Sequence, residues 1–227
     1  MSQRLSDAGL EPLGVLAGSS NNALLCRATL PDEPETLVVY KPGRGERPLW
    51  DFPAGLYKRE VAAFRLCEAA GWHLVPETVL RQGPYGEGAV QRFVVHDPDE
   101  HYLTLMPQRA DDFRRVAALD VVMNNADRKS GHCLIDSRTG ELRIVDHGLC
   151  FHIEPKLRTV IWDFIGEPLP EEVREGLARV IEEPPRLDGL LDALEIDLVF
   201  ARARALLEAD RYPDPPQDRP AVPWPLI

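Results

Sequence analysis

Two aspartates separated by a strand-like segment mark the part of the sequence best suited to chemistry. Asp127 stands in "NNADRKSGHCLID", residues 124–136, and Asp146 stands in "IVDHGLCFH", residues 144–152. His132 follows Asp127 by five residues. In phosphoryl transfer, one carboxylate orients the attacking hydroxyl, and two later polar groups hold a divalent metal on the phosphates of a nucleotide. This order of residues predicts such a site, with Asp127 serving the acceptor and Asp146 and His132 the metal.

The lysines extend this hypothesis, because the chain has few of them: Lys41, Lys58, Lys129 and Lys156. Lys129 comes two residues after Asp127, where it would stabilise charge on the transferred group. Lys41 closes the strand-like "TLVVYKP", and Glu60 follows 19 residues later in a helical pattern. A lysine that contacts phosphates and a helix carboxylate that orients it are further parts of phosphotransfer sites.

Each residue also has a simpler interpretation when it is taken alone. Asp127 and Arg128 would form an ordinary loop salt bridge, and Asp146 with Gly148 an ordinary turn at a strand end. Lys41 would be a solvated strand terminus, and Glu60 a surface side chain. The ordered set, rather than any single residue, favours the phosphotransfer site, because converging titratable groups indicate function.

A zinc site is an alternative use of the same segment. Its ligands would be His132, His147 and His152 with Asp146, but structural zinc sites favour tighter spacing and usually include cysteine. The cysteines show no C-x-x-C spacing and stand in apolar contexts, which predicts buried free thiols in a reducing compartment. They are Cys26, Cys67, Cys133 and Cys150.

Composition limits the partners of the chain. It has 37 acidic and 26 basic residues, a net charge of -11, which argues against sequence-independent binding of nucleic acid or of an anionic membrane. A polyanionic ligand must therefore be held by local groups. The sequence has no apolar run of 18 residues and no signal-peptide pattern at its start, so we expect a cytoplasmic protein without stable membrane insertion.

Hydrophobic patterns in the first half predict a small sheet with one helix. Residues 13–30 read as a hairpin around the turn-forming residues 18–22, and residues 36–42 as a third strand. A helix is predicted over residues 54–71, with Glu60 on or beside its inward stripe. The segments "HLVPETVLR" and "GAVQRFVV", on either side of a Gly-Pro-Tyr-Gly turn, complete a sheet of about five strands.

The second half reads as mainly helical. A helix capped by Asp111 or Asp112 leads into the Asp127 segment, and "HCLID" and "ELRIVD" form a strand pair. Helical patterns follow Pro170, and the "LDGLLDALEIDLVFARARALLEAD" segment predicts one or two helices. The last 17 residues contain six prolines, which predicts an extended tail that Trp224 pins to the body.

Together these motifs resemble those of a known family. "NADRKSGH" and "IVDHGLCF" are similar to the catalytic loop and the metal-binding segment of phosphatidylinositol 3- and 4-kinase-like proteins, most closely the type II 4-kinase branch and more distantly HipA-like kinases. The likeness extends through "VVYKP", "REVAAFRL", "GAVQRFV" and "VIWDFIGEPLPEEV", and covers about residues 14 to 185.

The resemblance implies an α+β, two-lobed protein-kinase-like fold that binds ATP between the lobes. The N-lobe, residues 1–100, would be a small antiparallel sheet with one helix. The C-lobe, residues 101–210, would be mainly helical, and residues 211–227 would form a proline-rich tail. ATP and Mg²⁺ or Mn²⁺ are the implied cofactors.

The resemblance also implies roles for individual residues. Asp127 corresponds to the catalytic aspartate, with Lys129 beside the transferred group, and Asp146 with His132 to the metal ligands. Asn125 supports the catalytic loop. The implied nucleotide-binding residues are Ser19, Ser20, Asn21, Lys41, Glu60, Gln91, Phe93 and Val94.

Two departures from the family pattern keep several functions open. His132 stands where the family has Asn, and His147 replaces the residue after the metal-binding aspartate. Imidazole is a softer ligand than an amide oxygen, which favours Mn²⁺ over Mg²⁺ or leaves one metal missing. We expect an ATP-dependent kinase that acts on a hydroxyl of a soluble small molecule or protein. The alternatives are a nucleotide-binding regulatory pseudokinase, transfer of AMP, and a phosphoinositide kinase.

Overall fold

The first half of the chain folds as a five-stranded antiparallel sheet with one long helix. A computed structural model describes residues 3–16, 22–29 and 35–226, and the strand order is β1-β2-β3-β5-β4. The elements of this half are α1 (Gln3–Asp7), β1 (Gly9–Val15), β2 (Leu24–Thr29), β3 (Thr36–Pro42), α2 (Leu56–Ala69), β4 (Thr78–Gly83) and β5 (Gly86–Arg92). The predicted hairpin, third strand and helix are therefore confirmed.

Alternation along β3 decides which of its side chains reach the interior of the sheet and which reach a cleft. Val38 and Tyr40 are fully buried in a small core beneath the sheet. Val39 and Lys41 point to the opposite face, because successive strand residues alternate, and they line the cleft described below. The strand thus brings a lysine to the cleft wall by its period alone.

Helix α2 begins after a left-handed residue, Gly55, whose φ is +93°. A carboxylate that precedes the helix substitutes for a side chain at the N-cap: Glu46 accepts hydrogen bonds from the backbone N–H groups of Gly55 at 2.9 Å and Tyr57 at 2.7 Å. Glu60 follows one turn after Leu56 and is buried, as its place on the inward stripe predicted. This start fixes the rotation of α2 and so directs Glu60 toward the cleft.

The second half contains four helices and a short strand pair. Its elements are α3 (Tyr102–Leu105), α4 (Ala110–Met123), β6 (Cys133–Ile135), β7 (Leu142–Ile144), α5 (Glu171–Glu182) and α6 (Ala193–Ala209). The largest core joins the buried face of α2 to these helices. A buried ion pair between Arg59 of α2 and Glu195 of α6 adds a polar link between the two halves. In the described part of the chain no helix is long and apolar enough to cross a membrane.

Some boundaries differ from the sequence predictions. The fourth strand begins at Thr78, after Pro76, rather than at His73. Helix α4 begins at Ala110, with Arg109 at its N-cap. Asp111 and Asp112 therefore lie in the first turn, where they pair with arginines three residues later.

The role predicted for Trp224 is wrong, because its side chain is 87% exposed. The tail is held instead by its main chain. Ala221 O accepts hydrogen bonds from Thr159 N and Trp162 Nε1, both at 3.0 Å, and Leu226 O accepts one from Ser130 N at 2.8 Å. A backbone anchor of this kind carries no side-chain signature in the sequence.

Candidate active site

A cleft with a volume of about 420 Å³ lies between the sheet and the loops of the second half. Its walls come from β3, β5 and α2 on one side and from the Asp127 and Asp146 loops on the other. The cleft brings together all the predicted site residues that the structure describes: Lys41, Glu60, Gln91, Phe93, Val94, Asp127, Lys129, His132 and Asp146. The remaining three, Ser19, Ser20 and Asn21, lie outside the described residues.

Lys41 is the electrostatic centre of the cleft. Its ammonium group contacts Glu60 Oε1 and lies 3.2 Å from Asp146 Oδ1. Burial alone would lower the pKa of Lys41, but the carboxylates of Asp146 and Glu60 outweigh it and raise that pKa. Lys41 in turn holds the pKa of Asp146 well below its usual range. The cleft therefore contains a permanent cation between two carboxylates.

Asp127 lies in a loop that hydrogen bonds hold in place. Its backbone N–H donates to Asn125 Oδ1 at 3.0 Å, and Asn125 Nδ2 donates to Asp120 Oδ1 at 2.9 Å. Lys129 Nζ lies 3.2 Å from Asp127 Oδ2. Burial raises the pKa of Asp127, and the charge of Lys129 opposes that shift. Asn125 thus supports the loop, as the sequence predicted.

Asp146 and His132 form a two-ligand arrangement that a divalent cation would fit. Asp146 Oδ2 lies 3.6 Å from His132 Nε2, and the Asp146 side chain is 54% exposed. Burial lowers the pKa of His132 to about 4, against the attraction of Asp146, so the ring is neutral and has a lone pair to offer near pH 7. Because the described residues contain no group of three or more metal-binding side chains, phosphate oxygens and water would have to supply the other ligands.

The other end of the cleft is apolar, with Phe93 and Val94 following β5. Gln91 is buried, and its side-chain amide donates to Thr78 Oγ1 at 2.8 Å. Phe93 N donates to Leu37 O at 3.0 Å, which extends the sheet beyond the last residue of β5. Such a wall suits the flat face of a base, whereas the opposite end, around Lys41, suits phosphates.

Arg128 does not pair with Asp127, as the simpler interpretation held, but with Asp120 of α4. Both residues are fully buried, and the guanidinium nitrogens donate to both carboxylate oxygens of Asp120 at 3.0–3.1 Å. The sequence analysis missed this pair. Asp120 falls four residues after Val116 and three before Met123, on the apolar stripe of α4, and that position was the available signal.

The zinc alternative is wrong for the described residues. His147 Nε2 lies 2.9 Å from Arg128 Nη2, and the ring of His152 packs against Phe52 with centroids 5.0 Å apart. Neither ring contributes to a group of metal ligands there. The cysteines are free and buried, as predicted.

The fold places this chain among kinase-like structures. The Helicobacter pylori proinflammatory kinase CtkA superposes with a TM-score of 0.52 at 12% identity, covering 92% of this chain and 94% of that chain. The Golgi casein kinase with Mn/ADP bound gives a TM-score of 0.51 at 14% identity, over 90% of this chain and 73% of that one. At these identities the similarity shows the fold alone, and it confirms the predicted α+β protein-kinase-like fold.

Sequence comparison gives the family. The profile of phosphatidylinositol 3- and 4-kinases matches residues 73–192, more than half of the chain. A Mycobacterium tuberculosis relative, Protein Rv2133c, is 39% identical over 266 residues, covering 98% of this chain and 94% of the relative. The chain belongs to the phosphatidylinositol 3- and 4-kinase family, as its motifs indicated.

Proposed function

We propose that this protein is a metal-dependent phosphotransferase that moves the γ-phosphoryl group of ATP to an acceptor hydroxyl. The observation that carries the proposal is the convergence of Lys41, Glu60, Asp127 and Asp146 on one cleft. These residues come from two halves of the chain, and a purely structural salt bridge would not require them to meet in an open cavity. Family membership supports the same function.

Lys41 would contact the phosphates, and Glu60 would hold its ammonium group in that position. Asp127 would accept the proton of the acceptor hydroxyl, because its carboxylate faces the same cleft from the opposite wall. Lys129, beside Asp127, would stabilise charge that develops on the transferred group. The P–O bond to the γ-phosphorus breaks as the acceptor oxygen attacks, and ADP leaves.

Asp146 and His132 would hold the metal, and the bound cation would neutralise phosphate charge. Phe93 and Val94 would contact the base of the nucleotide. We also propose a soluble small molecule or a protein hydroxyl as the acceptor, because the net charge of -11 disfavours approach to an anionic membrane.

Label tracking tests the reaction type. The protein is incubated with either [γ-³²P]ATP or [α-³²P]ATP, Mg²⁺ or Mn²⁺, and fractions of small molecules and proteins as acceptors. Phosphotransfer places γ label on a product and leaves α label in ADP. Transfer of α label to a product would instead indicate AMP transfer and would contradict the proposal.

A pseudokinase is the second candidate, and His132, which stands where the family has Asn, is the observation that favours it. This candidate predicts nucleotide binding without turnover. A thermal-shift titration with ATP and metal, run beside the label experiment, separates it from the first: a shift in Tm with no label transfer to any acceptor fraction supports the regulatory role.

A further inference from the structure

His147 is a buried imidazole to which the proposed mechanism assigns no task. The residue follows Asp146 directly, and its side chain is fully buried. Its Nε2 lies 2.9 Å from Arg128 Nη2. A guanidinium group can only donate hydrogen bonds, so Nε2 must accept, and the neutral ring then carries its proton on Nδ1.

The proton on Nδ1 faces a catalytic carboxylate. Within the described part of the chain, His147 Nδ1 is buried without a hydrogen-bond partner, and Glu60 Oε2 lies 3.8 Å away. The same oxygen accepts the backbone N–H of His147 at 3.1 Å. A buried donor without an acceptor is unfavourable, so a small approach of Glu60 toward the ring would satisfy it.

Arg128 also holds both neighbours of Asp146. Its Nη1 donates to Val145 O at 2.9 Å, and its Nη2 donates to His147 Nε2. Between these two contacts, Asp146 has a φ of +62°, a left-handed conformation that is uncommon for a residue with a side chain. The bond to the His147 ring therefore helps to keep Asp146 in the conformation that faces the cleft.

We propose that His147 is a positioning residue that joins the buried Arg128–Asp120 pair to Glu60. Through this link, the ion pair that supports the Asp127 loop and the ion pair that orients Lys41 form one hydrogen-bonded unit. The inference rests on the proposed function, because it assigns His147 to the same phosphotransfer site. The contrary view is that His147 only fills space and serves Arg128.

Two amide substitutions separate these views, because each retains one of the two contacts. In His147→Asn the amide nitrogen replaces Nδ1 and keeps a donor toward Glu60, and in His147→Gln the amide oxygen replaces Nε2 and keeps the acceptor for Arg128. We expect kcat/KM for ATP to fall about 10–100-fold in His147→Gln, with a raised KM, and to be better retained in His147→Asn. Equal loss in both, or better retention in His147→Gln, would overturn the inference.

A double-mutant cycle tests the route through Glu60. If His147 acts through Glu60, His147→Gln has no further effect on kcat/KM in a Glu60→Gln background, whereas additive losses would overturn the link. Both variants are assayed well below their Tm values, so that unfolding does not imitate a loss of activity.

Ring NMR gives a readout that does not depend on turnover. In ¹⁵N-labelled wild-type protein we expect His147 to carry its proton on Nδ1 and none on Nε2. The opposite tautomer would overturn the role of His147 even in an active enzyme. Absence of ATP turnover by wild-type protein that shows the expected tautomer would instead contradict the proposed function.

Discussion

The ammonium group of Lys41 lies 3.2 Å from the carboxylate of Asp146, although 105 residues separate them in the chain. Lys41 belongs to the sheet and Asp146 to a loop of the second half, so this contact closes the cleft from both sides. Under the proposed function, phosphate oxygens would approach Lys41 and a cation would approach Asp146. The ion pair is therefore the contact that a bound nucleotide has to replace.

Replacement of Lys41 should impair both folding stability and nucleotide use. In Lys41→Met the buried Glu60 loses its counter-charge, and we expect the free energy of unfolding to fall by about 3 kcal/mol in urea titrations. ATP turnover should fall by about 10²–10³-fold, because a donor to the phosphates is lost. Lys58→Met, on helix α2 but outside the cleft lining, is the matched control. Wild-type turnover by Lys41→Met would exclude the assigned role.

The ligand at position 132 should set the metal preference. An amide oxygen is a harder ligand than imidazole, so His132→Asn should lower the ratio of Mn²⁺-supported to Mg²⁺-supported turnover. The measurement is a titration of each metal at fixed ATP concentration. His73→Asn serves as the control, because that side chain is 67% exposed and lies outside the cleft lining. An unchanged ratio would mean that His132 does not contact the metal.

Acid should destabilise the protein over a defined range. The pKa of His132 is about 4 in the folded chain and about 6.5 when unfolded, so the unfolded state binds more protons between these values. Stability is therefore highest above pH 6.5 and falls as the pH decreases toward 4. His132 alone should account for about 3 kcal/mol of this loss.

The variant His132→Gln isolates this contribution. Urea unfolding from pH 7 to 4 should give a weaker pH dependence than in wild type, because the titrating ring is gone. Identical slopes for the two proteins would show that the folded chain does not keep His132 neutral.

Packing between the two halves predicts an inverted glycine effect. A Cβ atom on Gly176 of α5 would lie 2.3 Å from Trp72 Nε1. Alanine normally stabilises a helix interior by about 1 kcal/mol relative to glycine, but overpacking costs about 1–3 kcal/mol. Gly176→Ala should therefore lower Tm, whereas the exposed neighbour Glu175→Ala should change the unfolding free energy by less than about 0.5 kcal/mol. A raised Tm for Gly176→Ala would contradict this packing.

Local pattern was sufficient to predict much of the cleft. The period of a strand turns Lys41 away from Tyr40, and the period of a helix places Glu60 on the inward stripe; both follow from spacing alone. The loop residues needed more information. Asp127 and Asp146 were assigned from their order along the chain, since spacing does not determine where two loops meet.

The buried polar network shows what the sequence did not reveal. Asp120 lies between Leu119 and Val121 and looks like a solvated helix residue, yet it is fully buried against Arg128. Its partner comes eight residues later, beyond the end of α4, so no helical spacing connects them. His147 is similar, because its contacts depend on how two distant ion pairs approach each other. Trp224 shows the reverse error, since a large aromatic residue in a tail suggested an anchor that the main chain provides.

The most direct test of the central claim is metal-dependent ATP turnover by wild type beside Asp127→Asn, with Asp197→Asn, exposed on α6, as the control. Thermal-shift titration with ATP runs in parallel to confirm that each variant is folded and binds nucleotide. We predict turnover in wild type and Asp197→Asn, and a loss of at least about 100-fold in Asp127→Asn with nucleotide binding retained. Equal turnover in all three proteins, or no nucleotide binding by wild type with either metal, would contradict the assignment of this cleft to phosphoryl transfer.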